Sequence, residues 1–467
     1  MTYREVLACL ENSRRFGSRL GLERIRGLCA GLGNPQNRYP AIHVAGTNGK
    51  GSTCAMIAGM LAASGRRVGM FTSPYLVRFT DHIHVFDGPG DLERRLTDPS
   101  CGEITETELA AIFGEVHAVD RARQEAGAEA ATEFELITAT ALEHFARRRC
   151  DVVVLEVGLG GDFDSTNVIP APRVAVITAL GYDHQDRLGP TMYDIARSKA
   201  GIIKPGTGRV ILYDPSQAAA TAGDAFAIYD TVATSAARLD VPLDVVDRGQ
   251  IRELDAGPGG QRFMLRGQAE AFEMRLVGES QLLNAAVAIR AALAFDPTLS
   301  HQPALREGLR LVSWPGRFEL VAREPDTILD GAHNPQAIRA LLANCLKFLG
   351  GRPLVVVNGV LGDKDSRDMA RLFYGDGRLD LRAVIATQPA NSRALPAARL
   401  VDTIRAALPA AAARIAVEEQ PDSGAALRRA RELAAAIGEE AAVLCMGSLY
   451  LVRELHPLLQ EPGHALA

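Results

Sequence analysis

Apolar residues in this chain fall into short continuous runs separated by alanine-rich stretches whose apolar positions recur three and four apart. Ala41-Ile42-His43-Val44-Ala45 predicts a strand, a glycine-rich loop follows, and residues 53–64 predict a helix. Residues 67–72 predict the next strand, so strand, helix and strand form a β-α-β unit and imply a parallel sheet. The pattern recurs. Residues 133–148 read as a helix with Leu136, Thr140 and His144 four apart, and residues 151–157 and 173–178 as buried strands of the parallel kind. The first forty residues read as a short helical region ending in the turn-rich Gly33-Asn34-Pro35-Gln36-Asn37. Residues 206–275 look less regular, with a hairpin suggested over 263–266 and 272–275, before a helix over 281–295. After Trp314-Pro315-Gly316-Arg317, strand-like segments at 327–330, 353–357, 383–387 and 442–446 alternate with helical ones, the last holding Leu400, Ile404 and Leu408 on one face.

The expected fold is therefore α/β: an N-terminal, mostly parallel P-loop-type sheet flanked by helices, plus a smaller C-terminal Rossmann-like α/β domain. The boundary is expected at 312/313, giving domains 1–312 and 313–467. A length of 467 residues suits two or three domains. The net charge of −5 argues against a dedicated nucleic-acid or membrane-surface binder, and clusters such as Arg147-Arg148-Arg149 read as solvated helix ends. Seven cysteines at 9, 29, 54, 101, 150, 345 and 445 include no C-x-x-C pair, which reads as reduced thiols. The N-terminus leads into a polar helix instead of a signal peptide, and no apolar run approaches the ~20 residues that span a bilayer. A cytoplasmic protein, without nucleic-acid or membrane partners, is the expectation.

Candidate chemistry begins at Gly46-Thr47-Asn48-Gly49-Lys50-Gly51-Ser52. After a strand, glycines let the backbone curl so that several N–H groups point at one anion, helped by the positive end of the next helix. Lys50 adds a charge for the β/γ-phosphates, and the Ser52 hydroxyl is placed for magnesium. The spacing differs from G-x-x-x-x-G-K-[ST]. Glu156, ahead of Gly158-Leu159-Gly160-Gly161, and Asp183-His184 lie at strand ends, where ligands of open parallel sheets gather. There Glu156 and His184 could complete a magnesium site with Ser73. The run Ser198-Lys199-Ala200-Gly201 is, by itself, a basic helix end with a glycine stop. Asp330-Gly331-Ala332-His333-Asn334-Pro335 is either a catalytic corner or a plain turn.

Taken together these motifs resemble the Mur ligase superfamily, most closely its folylpolyglutamate synthase/dihydrofolate synthase branch. The resemblance runs nearly end to end. It is carried by 43–52, Phe71-Thr72-Ser73-Pro74, 155–161, Lys199-Ala200-Gly201-Ile202, Asn284-Ala285-Ala286, Trp314-Pro315-Gly316-Arg317 and 330–335. It implies an ATP-dependent, ADP-forming ligase that joins L-glutamate to a pteroate or folate acid through an acyl phosphate. Thr47, Asn48, Gly49, Lys50, Gly51 and Ser52 would hold the ATP phosphates, and Asn284, Arg317 and Asp330 would also contact ATP. Mg²⁺ at two positions would take Ser52, Ser73, Glu156, His184 and Lys199. Lys199 matches a family lysine that is carbamylated by CO₂. Lys50, Lys199, His184 and His333 would be catalytic, with His333 near the incoming amino acid. Tyr75, Arg78, Phe134, Asp164 and His333 would meet substrate. A monomer is expected.

Four positions depart from the family pattern. Ser-Pro-His becomes Ser73-Pro74-Tyr75, and Phe-Phe-Glu becomes Glu133-Phe134-Glu135. Gly-Gly-Arg-Leu-Asp becomes Gly160-Gly161-Asp162-Phe163-Asp164, and the Glu before the special lysine is Ser198. The first three fall in segments associated with the pterin-bearing substrate. Their alternative reading is a paralogous ligase that activates a non-folate acid. A P-loop kinase or ATPase would need only the first loop, and a binding protein would tolerate loss of Lys50, Glu156 and Lys199.

Overall fold

The computed structural model describes residues 1–13, 21–410 and 415–459. Two compact units divide the chain. The first comprises Met1–Arg252, Phe263–Glu273 and Leu282–Ser313, and the second Glu253–Arg262, Met274–Gln281 and Trp314–Ala467.

The first unit is built on seven strands: β1 (Ala41–Ala45), β2 (Arg67–Phe71), β3 (Ile83–Asp87), β4 (Val152–Glu156), β5 (Val174–Ile177), β6 (Arg209–Tyr213) and β7 (Leu243–Val246). They lie in the order β3-β2-β4-β1-β5-β6-β7, all parallel except β3, which runs antiparallel to β2 at the edge. β1 and β4 are buried at every position, as their unbroken apolar runs require of a sheet covered on both faces. One face carries the helices Tyr3–Ser13, Glu23–Gly31, Glu106–Glu125 and Glu133–Arg147, with Phe113, Leu136 and Phe145 in the core between them. Against β5 and β6, the helices Met192–Ala200 and Ala222–Arg238 close a second core around Ile195, Val210 and Val232. Strand order reverses at β1, whose partners β4 and β5 leave it on opposite sides. In such sheets the crevice beyond the strands' carboxyl ends at this switch point is where ligands bind.

The helix after β1 starts at Lys50 and runs to Ala63, so Lys50, Gly51 and Ser52 are its first turn, not loop. It is apolar on all faces and buried along nearly its whole length. Residues 206–275 are more ordered than their sequence suggests. They hold β6, the helix Ala222–Arg238, β7, β8 (Ile251–Gly257), β9 (Gly260–Leu265) and β10 (Phe272–Met274). The buried stripe of that helix is Ile228, Val232 and Ala236, but exposed Phe226 and Tyr229 obscure it in the sequence. β8 to β10 form a small sheet in the order β10-β9-β8.

The second unit carries β11 (Glu319–Ala322), β12 (Asp326–Asp330), β13 (Leu354–Asn358), β14 (Leu381–Ala386), β15 (Ala416–Glu419) and β16 (Ala442–Met446). Their order is β11-β12-β16-β13-β14-β15, parallel except for β11. Among the described residues no helix is long and apolar enough to cross a membrane, and all seven cysteines are unpaired thiols.

Candidate functional site

Three strand ends of the first unit converge on the glycine loop. Register pairs Val44 with Glu156 and Ala45 with Ile177, so β1 delivers Gly46 between the ends of β4 and β5. The loop is tied down from the β5 side. Thr47 N and Asn48 N donate to Ala179 O at 2.9 and 3.1 Å, and the Thr47 hydroxyl donates to Gly181 O at 3.0 Å. Thr178 Oγ1 donates to Asn48 O at 2.8 Å. Thr178 thus buttresses the loop, a role its place at the end of an apolar run did not signal.

Gly49 starts the helix at φ +85°, and a Cβ there would lie 2.5 Å from Asn284 Oδ1. Only glycine serves, because the position needs both the left-handed backbone and the space. Asn284 is buried and so meets the loop directly. No side chain caps this helix, whose first backbone bond is Thr53 N to Gly49 O. The N–H groups of Lys50, Gly51 and Ser52 precede that bond and are the donors a phosphate would take.

Charge gathers beside these donors. Lys50 Nζ lies 3.9 Å from Glu156 Oε1, while Glu156 Oε2 accepts from Ser73 N at 3.0 Å. Ser52 Oγ is buried with no protein partner. An orphaned buried hydroxyl is costly, and a hard cation bridging phosphates would satisfy it. Among the described residues no three of His, Cys, Asp and Glu cluster to hold a metal. Magnesium held through phosphates needs only one or two protein oxygens, and Ser52 and Glu156 fit that demand.

Lys199, in the last turn of Met192–Ala200, is buried and donates to Gly46 O at 2.8 Å. Burial pulls its ammonium down to about 7, Lys50's charge pushes the same way, and Asp183 and Asp164 partly oppose both. His184 follows Asp183 at φ +52°; its ring is about half exposed, with Nε2 3.9 Å from Asp183 Oδ1. Asp164 is buried, and its carboxylate accepts from Leu159 N, Thr166 N and the Thr166 hydroxyl. Thr166 Oγ1 in turn meets His43 Nε2 at 2.8 Å. In this arrangement Asp164 braces the turn after β4.

Of the other residues assigned to substrate, Tyr75 packs edge-on against Phe79 and His82, with centroids 5.4 and 5.2 Å away. Phe134 lies 5.9 Å from Phe71, and the Arg78 guanidinium is paired with Glu103. Glu133 opens a helix capped by Thr132 and Glu135, and Glu135 is itself paired with buried Arg24.

The second unit presents its own strand-to-helix corner. Asp330, at the end of β12, accepts from Phe318 N at 2.8 Å and Ala332 N at 2.7 Å. Burial raises its carboxyl and the Arg317 charge opposes that. His333 Nδ1 lies 2.8 Å from Gly331 O. Asn334 Oδ1 then caps the helix Pro335–Phe348 by accepting from Ala337 N at 2.9 Å.

Two family models match the chain: "Mur ligase middle domain" over residues 101–292, and "Mur ligase, glutamate ligase domain" over 316–449. A folylpolyglutamate synthase of Lacticaseibacillus casei is 37% identical over 411 residues, 85% of this chain and 88% of that relative. A dihydrofolate synthase/folylpolyglutamate synthase of Bacillus subtilis is 36% identical over 377 residues, 79% and 82% of the two chains. Among solved structures, Mycobacterium tuberculosis folylpolyglutamate synthase complexed with ADP superposes with a TM-score of 0.83 at 28% identity, covering 98% of this chain and 99% of that one. Escherichia coli FolC in complex with DHPP and ADP gives 0.77 at 27% identity, covering 97% of each.

Proposed function

The chain belongs to the folylpolyglutamate synthase/dihydrofolate synthase family of Mur ligases, and on that premise we propose that it joins L-glutamate to a pteroate or folate acid at the expense of ATP. The observation that carries this reading is the convergence of Lys50, Ser52, Glu156 and Lys199 on the loop at the end of β1.

A carboxylate is a poor electrophile, so the acceptor acid first attacks the γ-phosphoryl of ATP, forming an acyl phosphate and ADP. The first-turn N–H groups and Lys50 hold the phosphates and neutralise charge that develops during transfer, which is positioning and electrostatics. Ser52 and Glu156 are the protein oxygens that would hold magnesium, which when bound would supply further positive charge for the phosphates. The Glu156 carboxylate is aimed by Ser73 N, so Ser73 acts through its backbone as well as any contact its hydroxyl makes. The glutamate amine then attacks the acyl carbon and phosphate leaves. Water must be excluded while the acyl phosphate exists, or it hydrolyses. Burial lowers the Lys199 ammonium, the direction that favours the neutral amine a carbamate would need, and its family position implies that carbamate. Arg317 and Asp330 are assigned to ATP and His333 to the incoming amino acid. A cytoplasmic monomer is part of the same reading.

The test is ADP release measured with dihydropteroate or tetrahydrofolate as acid. Release that requires both acid and L-glutamate is expected. Release without an acid would point to an ATPase. No release with either pterin acid, but turnover with an unrelated carboxylic acid, would favour the paralogous ligase that Tyr75 and Glu133 suggest.

A further inference from the structure

Two of the four departures from the family pattern, Asp162 and Ser198, are 36 positions apart in sequence and touch in the fold. Ser198 Oγ donates to Asp162 Oδ1 at 2.7 Å, and Asp162 N donates to Ser198 O at 3.0 Å. The same Oδ1 accepts from Phe163 N at 3.0 Å. Around this pair the turn after β4 is pressed backbone to backbone on the last turn of Met192–Ala200. A Cβ on Gly161 would lie 2.7 Å from Ser198 O and 2.9 Å from Lys199 O. Asn167 Nδ2 stitches the contact from below, donating to Asp162 O at 3.1 Å and Gly201 O at 3.2 Å.

The next residue after Ser198 is Lys199, whose amine reaches Gly46 O in the phosphate loop. At its other end the turn runs back through Gly158 to Glu156, beside Lys50. The Asp162–Ser198 contact therefore joins the two segments that present Glu156 and Lys199. Where the family pattern has a cation and an anion at these two positions, this chain has a carboxylate and a hydroxyl. In this chain the carboxylate–hydroxyl bond closes the gap, and an opposite-charge couple placed at the same two positions would be another way to close it.

We propose that Asp162 and Ser198 are a matched pair of positioning residues that register the Lys199 helix against the turn after β4, and that Asp162 does not read the acceptor acid. This rests on the ligase reading. It also withdraws one of the three departures that favoured a non-folate acid, because the exchange at 162 is answered inside the protein.

A double-variant cycle tests this: Asp162→Arg, Ser198→Glu and both together, measured for ATP affinity, kcat and KM of the acid. Each single variant is expected to lose about tenfold in kcat and to bind ATP more weakly, since small displacements at a reacting centre are expensive. The double variant should recover to within about twofold of the parent, a coupling that only residues in contact show. KM for the acid should be the same in all four proteins, and Asp162→Asn, which keeps the Oδ1 acceptor, should match the parent. A KM that follows residue 162 whatever stands at 198, or losses that multiply in the double variant, would overturn the proposal. If the parent used no pterin acid the folate reading would fail instead, and the ATP-affinity cycle would still decide the pair.

Discussion

The two strand-to-helix corners follow one grammar and end in opposite states. At the first, β1 runs through Gly49 into Lys50–Ala63, whose N-terminus has no side-chain cap. At the second, β12 runs through Asp330 and His333 into Pro335–Phe348, where Asn334 occupies a first-turn N–H and Pro335 brings none. A helix N-terminus attracts anions through unpaired N–H groups and the helix dipole together. The first corner offers both, whereas the second has one first-turn donor engaged by Asn334 and lacks another at Pro335. On the proposed reading, phosphate chemistry falls to the first corner, and the second contributes side chains such as Arg317 and His333. An Asp-Gly or Gly-Lys motif after a strand does not by itself make an anion site; free first-turn donors and a cation beside them are both needed.

The most direct way to break this comparison is Lys50→Ala. If the open corner holds the transferring phosphoryl group, the variant should lose about 10³-fold or more in kcat/KM, as when a principal charge-stabilising group is removed. Its thermal midpoint should move by only a few degrees, because Lys50's ionic contact is a single long one. Near-normal ADP release by this variant would sink the assignment of the corner to ATP.

Much of the first corner was legible in the sequence because its requirements are local. Gly49 must adopt a left-handed backbone, and Lys50 and Ser52 follow it at fixed offsets, so the composition of seven residues states the chemistry. What was not legible lies in contacts between distant segments. Thr178 is an ordinary strand-end residue until its hydroxyl is seen on Asn48 O, and the Asp162–Ser198 hydrogen bond joins residues 36 positions apart. The edge strands β3 and β15 were missed for a different reason. Ala416–Glu419 is short and mixes polar with apolar residues, as an edge with a solvent-facing row must, whereas in Ile83–Asp87 a fully buried His84 interrupts the apolar run. Asp164 shows the same limit at the site: its motif marks it for substrate, yet its oxygens are engaged with Leu159 and Thr166.

The next largest effect separates the two units by acid. His84 in β3 is fully buried, and neither ring nitrogen has a hydrogen-bond partner. Burial first, then the Arg95 and Arg78 charges, hold its imidazole well below the ordinary 6.5. The unfolded chain therefore binds a proton near 6.5 that the folded unit refuses, and stability present above that pH is lost as the pH falls below it. His84→Phe removes the liability. The variant should be more stable than the parent by about 1 kcal/mol at neutral pH, from the unpaired polar nitrogens, with the gain rising by ~1.4 kcal/mol per pH unit below 6.5. Chemical denaturation at pH 7 and pH 4.5 would show it, with the shift confined to the transition of the unit that carries the phosphate loop. A gain that does not grow with acid would mean the folded His84 takes up its proton normally.

Gly49→Ala probes the open corner without touching charge. The added Cβ meets Asn284 and strains a left-handed backbone, so a loss of about 1–3 kcal/mol is expected. ATP affinity should fall with it, since relieving the strain turns the first-turn donors away from their common focus. Asn284→Ala in the same background should restore part of the stability and little of the affinity. Restoration of both would mean that the clash with Asn284, and not the backbone conformation, had set the donors' direction.

The smallest effect sharpens the contrast from the closed side. Asn334→Ala deletes the cap on Pro335–Phe348 and should cost about 1 kcal/mol of stability, the usual worth of an N-cap side chain. It also returns one first-turn donor to solvent, which moves the second corner a step toward the state of the first. If an open N-terminus were sufficient for anion binding, the variant would gain affinity for inorganic phosphate. The expectation is that it gains none, because Pro335 still withholds a donor and no lysine stands where Lys50 stands in the first corner. Phosphate titrations of the parent and the variant, followed by thermal shift, would separate the two outcomes. A phosphate-dependent stabilisation of Asn334→Ala greater than the parent's would mean that capping is the whole difference between the corners, and that Lys50 serves catalysis more than binding.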